Sequence, residues 1–152
     1  TDPGRAGVQS PLFLQFAVST LMVVICVVLH GLGLFSLSAA LRSETTIERL
    51  RRIDPLSLRG SIFTLSIVLA MIALHGIEIW LFAIAFLGLG AVAGLEEALY
   101  FSTISYSTVG YSDIHITTPW RLVGAFESIL GMFLIGWSTA FFFRMLGRID
   151  PH

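Results

Sequence analysis

The chain has 152 residues, of which 55% are hydrophobic and 12% charged, and its mean hydropathy is +0.86. That composition excludes an ordinary soluble domain, because several stretches exceed the ~20 apolar residues needed to cross a hydrocarbon core about 30 Å thick. The net charge of -1, with no lysine and nine arginines, argues against nucleic acid as a partner.

Residues 1–11 are polar and carry Pro3, Gly4, Gly7 and Pro11, which predicts a flexible lead-in. From Leu12 to Leu41 there is no Asp, Glu, Lys or Arg. As a helix this run is about 45 Å long at ~1.5 Å per residue, enough to span a bilayer with tilt. Its second half is rich in small residues (Gly31, Gly33, Ser36, Ser38, Ala39, Ala40), which favours close packing on another helix. Cys26, the single cysteine, reads as a small buried apolar side chain.

Residues 42–60 are charged and arginine-rich. Ile47, Leu50 and Ile53 recur at helical spacing, so the linker is either a short amphipathic helix on the lipid surface or a solvated loop. Asp54-Pro55 has the form of an N-cap followed by a first helical residue. A second span is predicted over about Ser61–Ala93, loosened at its end by Gly88, Gly90 and Gly94. A short helix follows at Leu95–Tyr106, with Glu96 and Glu97 placed to complement its dipole. The third span is predicted over about Pro119–Met145, with Thr118 as N-cap and Pro119 as first helical residue. The chain thus divides into 1–60, a first span with its linker, and 61–152, a two-span module.

Orientation follows from the arginines. Arg42, Arg49, Arg51, Arg52 and Arg59 lie in the linker and Arg144 and Arg148 near the C-terminal end, with Arg5 and Arg121 on the opposite side. The excess marks the cytoplasmic side. The N-terminus and the 94–118 hairpin are therefore expected outside, with Trp120 at the outer interface, and the C-terminus in the cytoplasm. The expected location is a cell membrane, of the bacterial inner type. The arginines do not recur at every third residue of a span, so no voltage sensor of the usual kind is expected.

Within the hairpin lies Ser107-Thr108-Val109-Gly110-Tyr111-Ser112-Asp113, uncharged until its final acid. Non-helical backbone at membrane depth is tolerated only where protein covers it or where it lines a water-filled cavity, so this stretch reads as a pore element. It resembles the potassium channel filter T-V-G-Y-G-D. The resemblance extends to Ala98-Leu99-Tyr100-Phe101-Ser102, similar to the opening of that family's pore helix with its packed aromatic pair, and to Pro119-Trp120-Arg121-Leu122, similar to the start of its inner helix. It covers roughly residues 61–145, and the first span is an addition.

The resemblance implies an all-α membrane protein: three transmembrane helices with a re-entrant pore helix and filter loop, in a tetrameric channel architecture. It implies potassium as the permeant ion, the lipid bilayer as surroundings, a homotetramer, no other cofactor and no enzymatic activity. Carbonyls of Thr108, Val109, Gly110, Tyr111 and Ser112 would replace the ion's water shell, and glycine accepts the unusual backbone angles this requires. Glu96, Glu97 and Asp113 would concentrate cations at the outer mouth. Two positions depart from the family. Ser112 replaces a glycine, which bears on selectivity. Ile104 stands where many relatives carry an acid, so Asp113 must find another partner, such as Ser102, Tyr100 or a water. Gly131 and Gly136 are candidate hinges or close-packing sites, and Phe141-Phe142-Phe143 could close a pore by dewetting or simply pack.

His30, His75, Glu78 and Glu127 lie inside predicted spans, where ionisable groups are costly. His30 and His75 fall at similar depth, about 17–21 Å from the inner edge at ~1.5 Å per residue. Glu78 follows His75 at i+3, on the same helical face. The three could bind a metal, sense protons, or form an interhelical hydrogen-bond network. Glu127 is expected to bond pore-helix serines. Three readings compete with a potassium channel. They are a weakly selective cation channel, a non-conducting accessory subunit of channel fold, and a metal- or proton-binding membrane protein.

Overall fold

The computed structural model describes residues 12–41, 58–110 and 116–149. The described residues are helical and contain no strand: α1 (Leu12–Leu41), α2 (Leu58–Gly88), α3 (Leu95–Tyr106), a 3-10 turn (Thr118–Trp120) and α4 (Arg121–Ile149). Three of these, α1, α2 and Arg121–Gly147 of α4, are long and apolar enough to cross a membrane, with mean hydropathies of 2.6, 2.2 and 1.6 in their best windows. Only 11% of the α1 window is buried, so most of its apolar surface faces outward, as a helix solvated by lipid requires.

The bounds of α1 and α3 are those predicted, whereas α2 and the start of α4 differ. Helix α2 begins at Leu58 and stops at Gly88, five residues before the expected Ala93. Gly90 adopts φ 62°. Its N–H donates to Leu87 O at 3.0 Å, and the Ala91 N–H donates to Phe86 O at 2.9 Å. These are the paired bonds of a Schellman end, which needs a left-handed residue that glycine supplies without a Cβ penalty. Before α4, Thr118–Trp120 winds as a 3-10 turn with Thr117 as its N-cap and Pro119 in its first positions, so Thr118 lies inside that turn rather than capping the helix. The expected Asp54-Pro55 cap and the amphipathic segment of the linker lie outside the described residues.

Helix α3 starts from extended Gly94, with Glu96 and Glu97 in its first turn. Glu97 Oε2 accepts the Ala93 N–H at 3.2 Å, one residue before the N-cap amide that a capping box would engage. The loop after α3 returns to where it left: the Thr117 N–H donates to Ala91 O at 2.8 Å.

The chain forms two compact units, to both of which α1, α2 and α4 contribute. One comprises Thr1–Cys26 and Glu78–Phe133, the other Val27–Ile77 and Leu134–His152. In the first, Phe82, Phe86, Phe101 and Val123 are buried, with Phe86 edge-on to Phe101 at 5.2 Å between ring centres. Phe101 fits against Gly124, where a Cβ would come within 2.8 Å of its ring. Of the expected aromatic pair, Phe101 is buried in this core and Tyr100 is 48% exposed. In the second unit Leu34, Ile67 and Met71 form the core, flanked by Leu37, Phe63, Leu74, Phe141 and Phe142.

Candidate functional site

The site begins where α3 ends. Ser107 is the C-cap, and its N–H still donates to Thr103 O at 3.0 Å. Thr108 then turns left-handed, with φ 63°, and Gly110 does so again with φ 54°. Thr108 N–H donates to Ser105 O at 2.9 Å and Gly110 N–H to Ile104 O at 3.0 Å. The first is the inner bond of a Schellman-type end; the second reaches one residue further than usual. Left-handed backbone suits Gly110, but Thr108 is β-branched and holds it at a cost of about 1–2 kcal/mol. Ser107, Thr108, Val109 and Gly110 are all exposed on the single chain. Tyr111, Ser112 and Asp113 lie outside the described residues.

Two acids anchor α3 from its buried side. Tyr106 is 2% exposed, and its hydroxyl donates to Glu78 Oε2. Ser102 Oγ lies within hydrogen-bond reach of both Glu127 Oε1 and, at 2.9 Å, Ile79 O. A hydroxyl has one proton and cannot donate to both. Its oxygen therefore bridges the Glu127 carboxyl and the Ile79 carbonyl, donating to one of them at a time. Glu127 Oε2 has no hydrogen-bond partner among the described residues, and the residue is fully buried. The expected bond between Glu127 and a pore-helix serine is therefore present. Ser102, expected as a partner for Asp113, is already engaged by these two groups.

Backbone contact adds to the side-chain bonds. A Cβ on Gly131 of α4 would lie 2.1 Å from Tyr106 O and 3.0 Å from Tyr106 Cα. This glycine lets α4 approach the last turn of α3, as the close-packing alternative for this position expects. The Ile104 side of α3 lines an open cleft of about 160 Å³, with Phe101, Ile116 and Gly124 among its walls. An apolar residue thus occupies the position where the resemblance would place an acid.

In the other unit His30 and His75 meet, their rings 5.2 Å apart. His30 is fully buried; its Nε2 shares a hydrogen bond with Ser138 Oγ at 3.2 Å, and its ring lies 5.5 Å from that of Trp137. Glu78 belongs to the first unit, where Tyr106 engages it.

A family model described as "Ion channel" matches residues 63–148, more than half of the chain. The chain belongs to this ion channel family. None of the curated proteins or solved structures compared with the channel matches it. The matched region contains α3, the left-handed turn after it and both acids that hold it, and it leaves α1 outside.

The remaining candidates of the channel are dispersed. Glu96 and Glu97 sit in the first turn of α3, where they serve the dipole and the Ala93 amide. Gly136 has no atom within 4 Å of a would-be Cβ. Phe141 and Phe142 pack against the Leu34–Ile67–Met71 core, while Phe143 is 66% exposed. The sequence reading missed Tyr106 as the partner of Glu78. The signal was there: a buried acid in a membrane span needs a donor, and the last residue of α3 carries a hydroxyl on a ring long enough to reach it.

Proposed function

We propose that the chain is one subunit of a homotetrameric potassium channel, in which Thr108, Val109, Gly110, Tyr111 and Ser112 line a re-entrant filter. The observation that carries the reading is the exposed, doubly left-handed stretch Ser107–Gly110, set at the C-terminal end of a short helix in a member of the ion channel family. Alternation of backbone handedness turns successive carbonyls toward one side, and four such strands around an axis would supply the oxygen rings that replace a cation's hydration. The exposure of these residues on one chain supports a role at an axis shared with other copies. The C-terminal end of α3 adds partial negative charge beneath the site. The arginine distribution supports an outer position for the hairpin and a cytoplasmic C-terminus in a cell membrane.

Ser112, in place of glycine, favours one second reading, a weakly selective cation channel. The test is flux from liposomes containing the purified protein, with potassium, rubidium and sodium compared. Potassium and rubidium flux well above sodium supports the first reading, and comparable fluxes the second. No flux for any of the three overturns both. Ser112→Gly is expected to raise the potassium-to-sodium ratio.

A further inference from the structure

We propose that His30 and His75 form a binding site for a divalent transition metal of the imidazole-binding class, Zn²⁺ or Cu²⁺, which clamps α1 to α2. No part of the conduction pathway proposed above uses these residues. Imidazoles inside a membrane span are costly, and here two of them, from different helices, come together. A ring nitrogen of His30 lies within 4.8 Å of one of His75. Tetrahedral zinc, with Zn–N bonds of about 2.0–2.1 Å, holds two ligand nitrogens about 3.4 Å apart, so a small rotation of either ring closes the pair.

The surroundings suit such an ion. His30 Nε2 shares a hydrogen bond with Ser138 Oγ, an outer partner of the kind that orients a metal-ligating imidazole. His30 is fully buried beside the Trp137 ring, and His75 is half-buried. Hard ions are disfavoured, because magnesium and calcium take oxygen ligands. Two protein ligands rather than four predict micromolar affinity, well below that of closed structural zinc sites.

The clamp would tie the added first span to the two-span module. Helix α1 lies outside the matched family region. A Cβ on Gly33 of α1 would come within 2.7 Å of the Leu74 side chain on α2, so the two helices already approach closely one residue before His75 in sequence.

The test uses the full chain in lipid nanodiscs, with His115→Ala and His152→Ala together as background to remove the other two histidines. Zn²⁺ is titrated against a chelating indicator. The expected result is one saturable site per chain, weakened at least tenfold by His75→Ala. Cu²⁺ is expected to quench tryptophan emission, and most of the quenched signal should vanish in Trp137→Phe, which assigns the ion to the neighbourhood of His30. Size-exclusion profiles confirm that each variant is folded. His30→Ala removes a fully buried side chain; if it does not fold, His75→Ala and the quenching decide the matter. No saturable binding in the background protein, or unchanged affinity in folded His75→Ala, overturns the proposal. The binding readout is independent of ion flux, so a failed metal site and a failed channel reading are told apart.

Discussion

In the unit that carries α3, buried polar groups are acids met by hydroxyls: Tyr106 donates to Glu78, and Ser102 joins Glu127 to the Ile79 carbonyl. In the other unit they include an imidazole, His30, which meets the buried hydroxyl of Ser138 and lies beside His75. Their close helix contacts differ as well. Gly131 of the first unit abuts backbone atoms of Tyr106, which cannot move aside, whereas Gly33 of the second abuts the flexible end of Leu74. The first unit is built to hold a short helix in one position. The second has contacts that side-chain rotation can readjust.

The largest expected effect tests that difference. Gly131→Ala drives a methyl into the Tyr106 carbonyl and should destabilise the protein by about 3 kcal/mol in a detergent unfolding assay. Gly136→Ala, in the other unit with open space around it, should be neutral or stabilising by up to about 1 kcal/mol through helix propensity. Similar values for the two would break the comparison. Next, Tyr106→Phe removes a donor from a buried acid and should cost about 2 kcal/mol, with a loss of flux as α3 loosens. Smaller again is Glu127→Ala, at about 1–2 kcal/mol, while Glu127→Gln, which keeps an acceptor for Ser102, should stay within about 0.5 kcal/mol of the parent. A Gln variant as unstable as the Ala variant would show that an amide cannot replace the carboxyl at this contact. The smallest effect is Thr108→Gly, expected to stabilise by about 1 kcal/mol by removing the strain of a β-branched left-handed residue.

Much of this was legible in the sequence, for identifiable reasons. Helix α1 is a charge-free run, and α3 is announced by a glycine followed by two acids, so both sets of bounds were read correctly. The meeting of His30 with His75, and of Glu127 with a serine of α3, followed from depth counted along antiparallel helices. The end of α2 did not follow, since three glycines compete within seven residues (Gly88, Gly90, Gly94) and only backbone geometry selects Gly90. Nothing in its residue type marks Thr108 as left-handed, because β-branched residues avoid that region. The Tyr106–Glu78 bond joins residues 28 apart and depends on how α3 rotates against α2.

One hydrogen bond has a mechanical consequence. The Thr117 amide and the Ala91 carbonyl close the hairpin at its base. A pull on the start of α4 reaches the end of α2 through this staple, in parallel with the chain that runs through α3, so tension bypasses the left-handed turn. Thr117 sits at φ -66° and ψ 142°, a conformation that proline adopts without strain. Thr117→Pro therefore deletes the donor without straining position 117 and sends the whole load through residues 92–116. Amide exchange across α3 should then accelerate while the C-terminal turns of α1 keep their protection. Unchanged exchange in α3 would show that the staple bears no tension.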